Sequence, residues 1–279
     1  MENLNKIIQS DCLEYLRSLP DECVDLVLID PPYGVNFKND FYDDSAEFVK
    51  IESIKWLQEL FRILKDGSHC YIFTGTKSLN LWLTNIESGG FEFKNIINVP
   101  AYCNGQYLKN NFYYRTEHIL FLSKGKAKNL NQVDFIKTSD AWKNDKRNIN
   151  KQEYTYSYPN FWNFIFANEK ANTKKLFHPN QKNTKLLEIL IKLSTNENDI
   201  VLDCFSGSGS LAQACLETNR NFLCCERDEG YVKIANDRLE NWQEDLERQN
   251  KWFNDRGFKA FQPDAKIETK KEQTQHDLF

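Results

Sequence analysis

The 279-residue sequence lacks several features that would assign it to a metal-binding, disulfide-rich or membrane class. None of its eight cysteines forms a CxxC pair, and Cys224 and Cys225 stand side by side in a strand-like run. Thiols of this kind are typical of a reducing compartment, so neither a zinc site nor a disulfide framework is expected. No apolar run approaches the roughly 18 residues of a membrane helix, and no basic-then-apolar leader opens the chain. We therefore expect a cytoplasmic protein.

The chain also lacks an overall excess of positive charge, since its formal net charge is −4. Basic residues instead gather between Lys137 and Lys175, where aromatic residues are interleaved with them. Acidic residues gather in DFYDDSAE (40–47) and QEDLE (243–247). The basic stretch has two interpretations, a solvated loop or a surface that contacts phosphate groups, because the distribution of charge matters more than its sum.

Short apolar strands alternate with amphipathic helices along the chain, which predicts an α/β fold with a doubly wound, mostly parallel sheet. Strands are expected at 6–10, 24–29, 69–74, 95–101, 117–123, 199–203 and 221–226, and helices at 12–19, 48–65, 186–194 and about 230–247. The helix over 48–65 is expected to stop at Asp66-Gly67. We predict one domain over 1–252, with an irregular insertion at about 125–177, and a polar, mobile tail over 253–279.

The stretch LVLIDPPYGVNF (26–37) places a rigid hook at the end of a buried strand. Each proline holds its φ at about −65°, and the residue before a proline is pushed out of the helical region. Asp30-Pro31-Pro32-Tyr33 is therefore a stiff, extended segment at the edge where α/β sheets bind their ligands. The alternative interpretation is an acidic turn without further function.

A second motif, DIVLDCFSGSGSLAQA (199–214), combines a strand, a glycine loop and the start of a helix. Gly207-x-Gly209-x-x-Ala212 satisfies the dinucleotide fingerprint, and Glu226 follows at the distance of a ribose-binding acid. A nicotinamide or flavin enzyme is one interpretation, and a glycine turn that serves only packing is another. Asp203, however, ends the strand where its carboxylate can meet an ammonium group. A ligand that combines a nucleoside with an amino acid, S-adenosylmethionine, fits Asp203 and Glu226 together.

These motifs and their order resemble the bacterial amino-methyltransferases of DNA, in particular the circularly permuted β group. In that family a (D/S/N)PPY motif precedes an FxGxG loop, as Asp30-Pro31-Pro32-Tyr33 here precedes Phe205-Ser206-Gly207-Ser208-Gly209. The resemblance runs from about Lys6 to Trp242 and implies the seven-stranded fold of S-adenosylmethionine-dependent methyltransferases. It includes the stretches RTEHILFLSKGK (115–126), HPNQKNTKLLEILI (178–191) and CERDEGYVKIANDRL (225–239). Two stretches depart from the family pattern: HPNQKN, usually HPTQKP, and INVPAY (97–102), where many relatives carry a tryptophan-lysine pair.

The resemblance implies methyl transfer to an exocyclic amine of a base that is turned out of the duplex. The Asp30 carboxylate would accept one amino hydrogen and the Pro31 carbonyl the other, with Pro32 keeping the hook rigid and Tyr33 stacking on the base. For the cofactor, the resemblance implies contacts along its whole length. Asp11 would contact the adenine amino group, Glu226 the ribose and Lys182 the methionine carboxylate. The residues around the methionine portion would be Asp203, Phe205, Gly207 and Gly209, and Asp30 would also contact the cofactor. Asp11 could equally cap a helix, and His178 is interpreted as structural.

Adenine N6 is the expected target, because family members with Asp at the first motif position usually modify adenine. N4-cytosine methylation is the alternative within the class, while the chain lacks the Pro-Cys nucleophile motif of cytosine C5 methylation. Methylation of RNA guanine is disfavoured by the order of the two motifs. A nicotinamide-dependent oxidoreductase would need a second substrate-binding half, and a non-catalytic DNA-binding module would need neither motif.

The basic stretch lies where the permuted family inserts its target-recognition region, so double-stranded DNA is the expected partner. Lys143, Lys146 and Arg147 are the expected phosphate contacts. Several amides there are candidates for contacts with base edges, since Asn and Gln can pair with adenine: Asn144, Asn148, Asn150 and Gln152. The aromatic run YTYSYPNFWNF (154–164) is interpreted as core packing.

The last five residues, Gln275-His276-Asp277-Leu278-Phe279, end a polar tail on two apolar side chains. They resemble the QL(S/D)LF-type peptides by which bacterial DNA-processing proteins engage the replication sliding clamp, with His276 in place of the usual leucine. A terminus without function is the alternative. A second copy of the chain is a further candidate partner.

Overall fold

The computed structural model describes residues 3–36, 43–101, 116–131, 133, 160–162 and 181–242. Several predicted features therefore lie outside the described residues: the DNA contacts Lys143, Lys146 and Arg147, the four candidate amides, His178 and the whole tail with Gln275–Phe279. Within the described ranges, every helix is too short or insufficiently apolar to cross a membrane.

All seven predicted strands occur in the described chain, in the predicted order, together with the predicted helices and one additional helix. The elements are β1 (Ile7–Gln9), α1 (Cys12–Ser18), β2 (Val24–Ile29), α2 (Ala46–Ile63), β3 (Leu64–Thr74), α3 (Leu79–Ser88), β4 (Glu92–Pro100), β5 (Thr116–Ser123), α4 (Thr184–Ser194), β6 (Ile200–Asp203), α5 (Ser210–Glu217), β7 (Asn221–Glu226) and α6 (Glu229–Glu240).

The strands form one seven-stranded sheet in the order β1-β7-β6-β2-β3-β5-β4. In this spatial order, the strand pairs β1-β7, β7-β6, β6-β2 and β2-β3 are parallel. Strand β5 is antiparallel to both β3 and β4. The prediction of a mostly parallel α/β sheet is therefore confirmed. One edge of the sheet collects the carboxyl ends of the parallel strands and the start of β5, and with them Asp11, Asp30, Asp203, Glu226 and Glu117.

The core lies on both faces of this sheet. In β2, Val27 and Ile29 belong to the apolar layer under α1, α2 and α3, whereas Leu26 and Leu28 belong to the layer under α4, α5 and α6. Because successive side chains of a strand point to opposite faces, a central strand buried on both faces must be apolar throughout. This explains why residues 26–29 of β2 are all apolar and buried, and the strand has the predicted bounds, 24–29.

Two elements differ from the prediction. Helix α2 ends at Ile63, before the predicted stop at Asp66-Gly67, and Leu64 already begins β3. Leu64 is fully buried and aligned with Val24 of β2, so sheet pairing and burial decide the boundary. Helix α3 was not predicted; Trp82 and Ile86, one helical turn apart, bury its apolar face.

Candidate active site

A cavity of about 610 Å³ opens at the carboxyl edge of the sheet. Every catalytic and cofactor-binding residue predicted from the sequence lines this cavity, except Gly209. These residues belong to elements that are far apart in the chain, and the sheet order brings the ends of β1, β7, β6 and β2 side by side. Concave sites at this edge are where open α/β sheets bind ligands.

The Asp30-Pro31-Pro32-Tyr33 hook follows β2 directly and is held by contacts on both sides. The ring of Tyr33 packs against Gly75, where an added Cβ atom would lie 3.3 Å from Tyr33 Cδ2. Beyond the hook, the backbone amides of Gly34 and Val35 donate to the Asp44 carboxylate oxygens at 2.7 and 3.2 Å. Asp44 is buried and was not predicted as a site residue; its role is to fix the path of the chain after Tyr33.

Asp30 and Tyr33 belong to a buried charged cluster that also contains Glu117 of β5 and Lys182. The Lys182 ammonium lies 3.0 Å from Asp30 Oδ2 and 2.7 Å from Glu117 Oε1. The Tyr33 hydroxyl is within hydrogen-bond distance of Asp30 Oδ1, at 2.7 Å, and of Glu117 Oε1. Lys182 also sits over the Phe73 ring, 5.0 Å from its centroid. The cluster is thus one cation and one hydroxyl shared by two carboxylates.

The two carboxylates determine the protonation of their partners. Burial opposes the charge of Lys182, but the charges of Asp30 and Glu117 outweigh it and raise the pKa of the lysine. Burial and the same two carboxylates raise the pKa of Tyr33 well above its usual value, so it stays a neutral phenol. Lys182 was predicted to contact the methionine carboxylate of the cofactor. In the structure it pairs with Asp30 of the catalytic motif, and its contact with the cofactor stays a prediction.

The loop between β6 and α5 confirms the predicted strand, glycine turn and helix start, and its two glycines serve different purposes. Gly207 has a φ of +49°, and an added Cβ atom there would meet nothing within 4 Å. Gly209 has a φ of +77°, and its Cβ atom would lie 3.0 Å from Ala235 Cβ. Gly209 therefore allows α6 to pack closely, whereas Gly207 leaves the loop backbone open at the cavity, where a ligand can approach it.

Asp203 is the buried acid at the end of β6. Its Oδ1 accepts a hydrogen bond from the Phe205 amide at 2.9 Å, and it forms no ion pair among the described residues. Burial, followed by the charges of Asp30 and Glu226, raises the pKa of Asp203 to about 8. A buried carboxyl in this state is suited to a cationic ligand, because a neighbouring positive charge favours its ionised form. The site therefore fits the ammonium group of an amino acid.

Glu226 and Asp11 also line the cavity. Glu226 accepts hydrogen bonds from the amides of Gly207 and Asp228, at 2.8 and 2.9 Å, and a carboxylate has further capacity for ligand hydroxyls. Asp11 Oδ1 caps α1 by accepting from the Leu13 amide at 2.9 Å, so the capping interpretation is confirmed. Because Asp11 also lines the cavity, its contact with an adenine amino group stays a prediction.

Arg238 of α6 supports the glycine loop from behind and was not anticipated from the sequence. It is 2% exposed and donates to Gln213 Oε1 at 2.6 Å, to Ser210 Oγ at 2.9 Å and to the Ser208 carbonyl at 3.2 Å. A single arginine in an amphipathic helix gives no signal of burial. Glu117 was not predicted for a related reason. Strand β5 contains both buried and partly exposed residues, and only the contacts of Glu117 with Tyr33 and Lys182 identify it as a site residue.

Comparison with known proteins places these observations in a family. The family described as DNA methylase matches residues 24–237. The Type II methyltransferase M1.MboII of Moraxella bovis is 32% identical over 254 residues, which are 85% of this chain and 96% of that protein. The DNA adenine methyltransferase YhdJ of Escherichia coli is 31% identical over 252 residues, which are 84% of this chain and 82% of that protein.

Solved structures agree with the fold. The structure of an M1.HpyAVI–SAM complex is 26% identical, has a TM-score of 0.58, and aligns with 84% of this chain and 98% of its own. The cytosine-N4-specific PvuII DNA methyltransferase has a TM-score of 0.61 over 82% of this chain and 84% of its own, at 18% identity, which shows the fold alone. The seven-stranded sheet is thus the fold of S-adenosylmethionine-dependent DNA methyltransferases.

Proposed function

The chain belongs to the N6/N4 DNA methylase family, and from this premise we propose that it methylates adenine N6 at a short site in duplex DNA. The coarser activity, S-adenosylmethionine-dependent methylation of a base amino group in double-stranded DNA, follows from membership of the family. We assign the chain to the circularly permuted β group because Asp30-Pro31-Pro32-Tyr33 precedes the Gly207-x-Gly209 loop.

One observation carries the proposal: the hook and the glycine loop face the same cavity from adjacent strands. β2 and β6 are neighbours in the sheet, so Asp30 and Asp203 reach the cavity side by side although they are far apart in the chain. The charge of Asp30 contributes to the raised pKa of Asp203. A methyl donor held at Asp203 and an amine held at Asp30 would therefore be neighbours, and proximity of this kind lowers the barrier to transfer.

The chain's own residues bind and orient the reacting groups. When bound, the cofactor supplies an electrophilic methyl group on a positively charged sulfur. The Asp30 carboxylate accepts one hydrogen of the target amine and the Pro31 carbonyl accepts the other, which directs the nitrogen lone pair toward the methyl carbon. Tyr33 stacks on the extruded base and offsets part of the unstacking cost. Asp203 binds the ammonium group and Glu226 the ribose hydroxyls.

The identity of the methylated base is the first test. Asp at the first motif position supports adenine, and YhdJ, named as an adenine methyltransferase, is similar over most of the chain. Unmethylated genomic DNA is incubated with the protein and labelled cofactor, then digested to nucleosides and separated. We expect the label in N6-methyladenine. Label in N4-methylcytosine would overturn the adenine assignment and leave the coarser activity intact, and sequencing the methylated positions would give the recognition site.

The basic stretch before Lys175 is proposed as the DNA-contacting region. Replacing Lys143, Lys146 and Arg147 with glutamine should weaken binding to all duplexes and reduce the dependence of log K on log salt by up to about one unit for each lost phosphate contact. Binding is measured by fluorescence anisotropy at several salt concentrations. Lys126→Gln, an exposed residue at the opposite edge of the sheet, is the control. An unchanged salt slope in the triple variant would remove this stretch from the interface.

Two further partners are proposed, a sliding clamp at Gln275–Phe279 and a second copy of the chain. A short peptide with an apolar tip can dock into a pocket of a partner, and tethering would raise the local concentration of the enzyme on newly replicated DNA. A labelled tail peptide should bind the clamp of the same organism more tightly than a peptide with Leu278→Ala and Phe279→Ala. Equal binding of the two peptides would reject the clamp proposal. Light scattering of the purified chain tests for the homodimer.

A further inference from the structure

We propose that Glu117 is a positioning residue that keeps one oxygen of the Asp30 carboxylate available for the target amine. The inference rests on the proposed function and concerns a residue outside both sequence motifs. It does not require Glu117 to touch the substrate. Glu117 would act through Tyr33 and Lys182, the two hydrogen-bond donors that it shares with Asp30.

Glu117 stands beside the catalytic hook because of the direction of β5. This strand is antiparallel to β3, so its first residues lie at the edge of the sheet where the parallel strands end. Glu117 is 7% exposed, and the ammonium of Lys182 lies 2.7 Å from its Oε1 atom. A buried carboxylate is costly unless it is paired and hydrogen-bonded. Its placement against Lys182 and Tyr33, the two donors that also contact Asp30, therefore indicates a specific role for its charge.

The hydrogen atoms of the cluster can be counted. Lys182 has three hydrogens, and the described residues place three acceptors within reach: Asp30 Oδ2 at 3.0 Å, Glu117 Oε1 at 2.7 Å and Tyr33 Oη at 3.3 Å. The Tyr33 hydroxyl has one hydrogen, and either Asp30 Oδ1 or Glu117 Oε1 can receive it. When Glu117 receives it, Asp30 Oδ1 carries no donor from this cluster and can accept a hydrogen of the target amine.

If Glu117 carried no charge, Asp30 would receive the hydrogens that Glu117 otherwise accepts. The Tyr33 hydrogen would go to Asp30 Oδ1, and Lys182 would pair with Asp30 Oδ2 alone. Both carboxylate oxygens would then carry a donor from the protein. Each oxygen keeps a second lone pair, but a donor that is already bound makes it a weaker acceptor for the target amine. Hydrogen bonds to charged acceptors are about twice as strong as neutral ones, so a neutral side chain at this position cannot hold the two donors equally well.

The weaker acceptor affects the chemical step. As the nitrogen–methyl bond forms and the sulfur–methyl bond breaks, the amine nitrogen becomes positive and loses one proton, for which the free Asp30 oxygen is the acceptor. A protein donor on that oxygen lowers its ability to accept the hydrogen. Binding of the cofactor at Asp203 and Glu226 does not depend on this oxygen. The inference therefore predicts a loss of rate without a comparable loss of cofactor affinity.

The first experiment measures single-turnover methyl transfer by Glu117→Gln with saturating cofactor and DNA, so that product release does not limit the rate. We expect a rate about 10- to 100-fold below that of the wild-type protein, in the range for loss of one preorganised group, with cofactor affinity within about threefold. Glu188→Gln, a substitution at another buried glutamate in α4, is the matched control and should leave the rate unchanged. A wild-type rate in Glu117→Gln would overturn the inference.

A double-mutant cycle separates positioning from a general structural effect. If Glu117 acts by holding the Tyr33 hydrogen away from Asp30, then Tyr33→Phe should restore part of the rate in the Glu117→Gln background, because that hydrogen is gone. If the two substitutions caused independent defects, their fold-losses in rate would instead multiply. Thermal melting and cofactor binding of each variant confirm folding. Multiplicative losses in folded variants would overturn the inference.

The outcomes also distinguish this inference from the proposed function. A wild-type protein that transfers no methyl group to any DNA would overturn the proposed function, and this inference with it. Active wild-type protein with an unaffected Glu117→Gln variant would overturn only the role of Glu117.

Discussion

Asp30→Ala is expected to reduce methyl transfer by about 100- to 1000-fold or more, because it removes the carboxylate that is preorganised to accept the amine hydrogen. The substitution leaves Lys182 paired with Glu117 at 2.7 Å, so the buried lysine keeps an acidic partner and the fold should persist. Single-turnover transfer from labelled cofactor measures the rate, and isothermal titration measures cofactor binding, which should be retained.

Asp237→Ala, at an exposed position of α6, is the control and should have the wild-type rate. If Asp30→Ala abolished cofactor binding while Asp203→Ala retained it, the proposed base site and cofactor site would have to be exchanged. Asp30→Asn completes the series: its amide keeps one acceptor oxygen without the charge, and its rate should fall between those of the wild-type protein and Asp30→Ala.

Asp203→Asn is expected to have two opposite effects, weaker cofactor binding and higher stability. The isosteric amide can still accept the hydrogen bond from the Phe205 amide, but it cannot pair with an ammonium group. Truncation of one partner in a buried charge pair typically costs about 2–5 kcal/mol of binding free energy. The affinity for the cofactor should fall accordingly, by at least about 30-fold when measured by titration at pH 8.

The stability effect depends on pH, because the pKa of Asp203 is about 8 in the folded protein and about 4 for an ordinary aspartate. Below about pH 4 both states are protonated. As pH rises from about 4 to 8, the unfolded state loses the proton first, so the wild-type protein loses stability. The amide introduced by Asp203→Asn does not titrate. The difference in free energy of unfolding between Asp203→Asn and the wild-type protein should therefore grow from pH 5 to pH 8 in urea titrations.

Cofactor affinity of the wild-type protein should change in the opposite direction. The ammonium group needs an ionised Asp203, so affinity should rise by up to about tenfold per pH unit below pH 8 and then level off. Asp203→Asn should not show this rise. A flat pH profile in the wild-type protein would mean that Asp203 is already ionised when the cofactor arrives.

Much of the fold could be predicted because its signals are local. The apolar run at 26–29 of β2 is buried on both faces, and the strand has its predicted bounds, 24–29. The boundary between α2 and β3 could not be predicted, since Leu64 is extended only because it pairs with β2. Helix α3 was not predicted, and its position became evident only from the layer that buries it, where Trp82 is fully covered.

The sequence by itself determined the two motifs and their chemistry, because prolines restrict the hook and glycines open the loop through backbone properties that act within a few residues. Only the tertiary structure decided which distant side chains complete the site. Glu117 lies 84 residues from Tyr33 in the chain, and Lys182 lies 149 residues from it, yet all three meet at one edge of the sheet. The pKa values of Asp203 and Lys182 also depend on this assembly, because burial and the charges of distant neighbours set them.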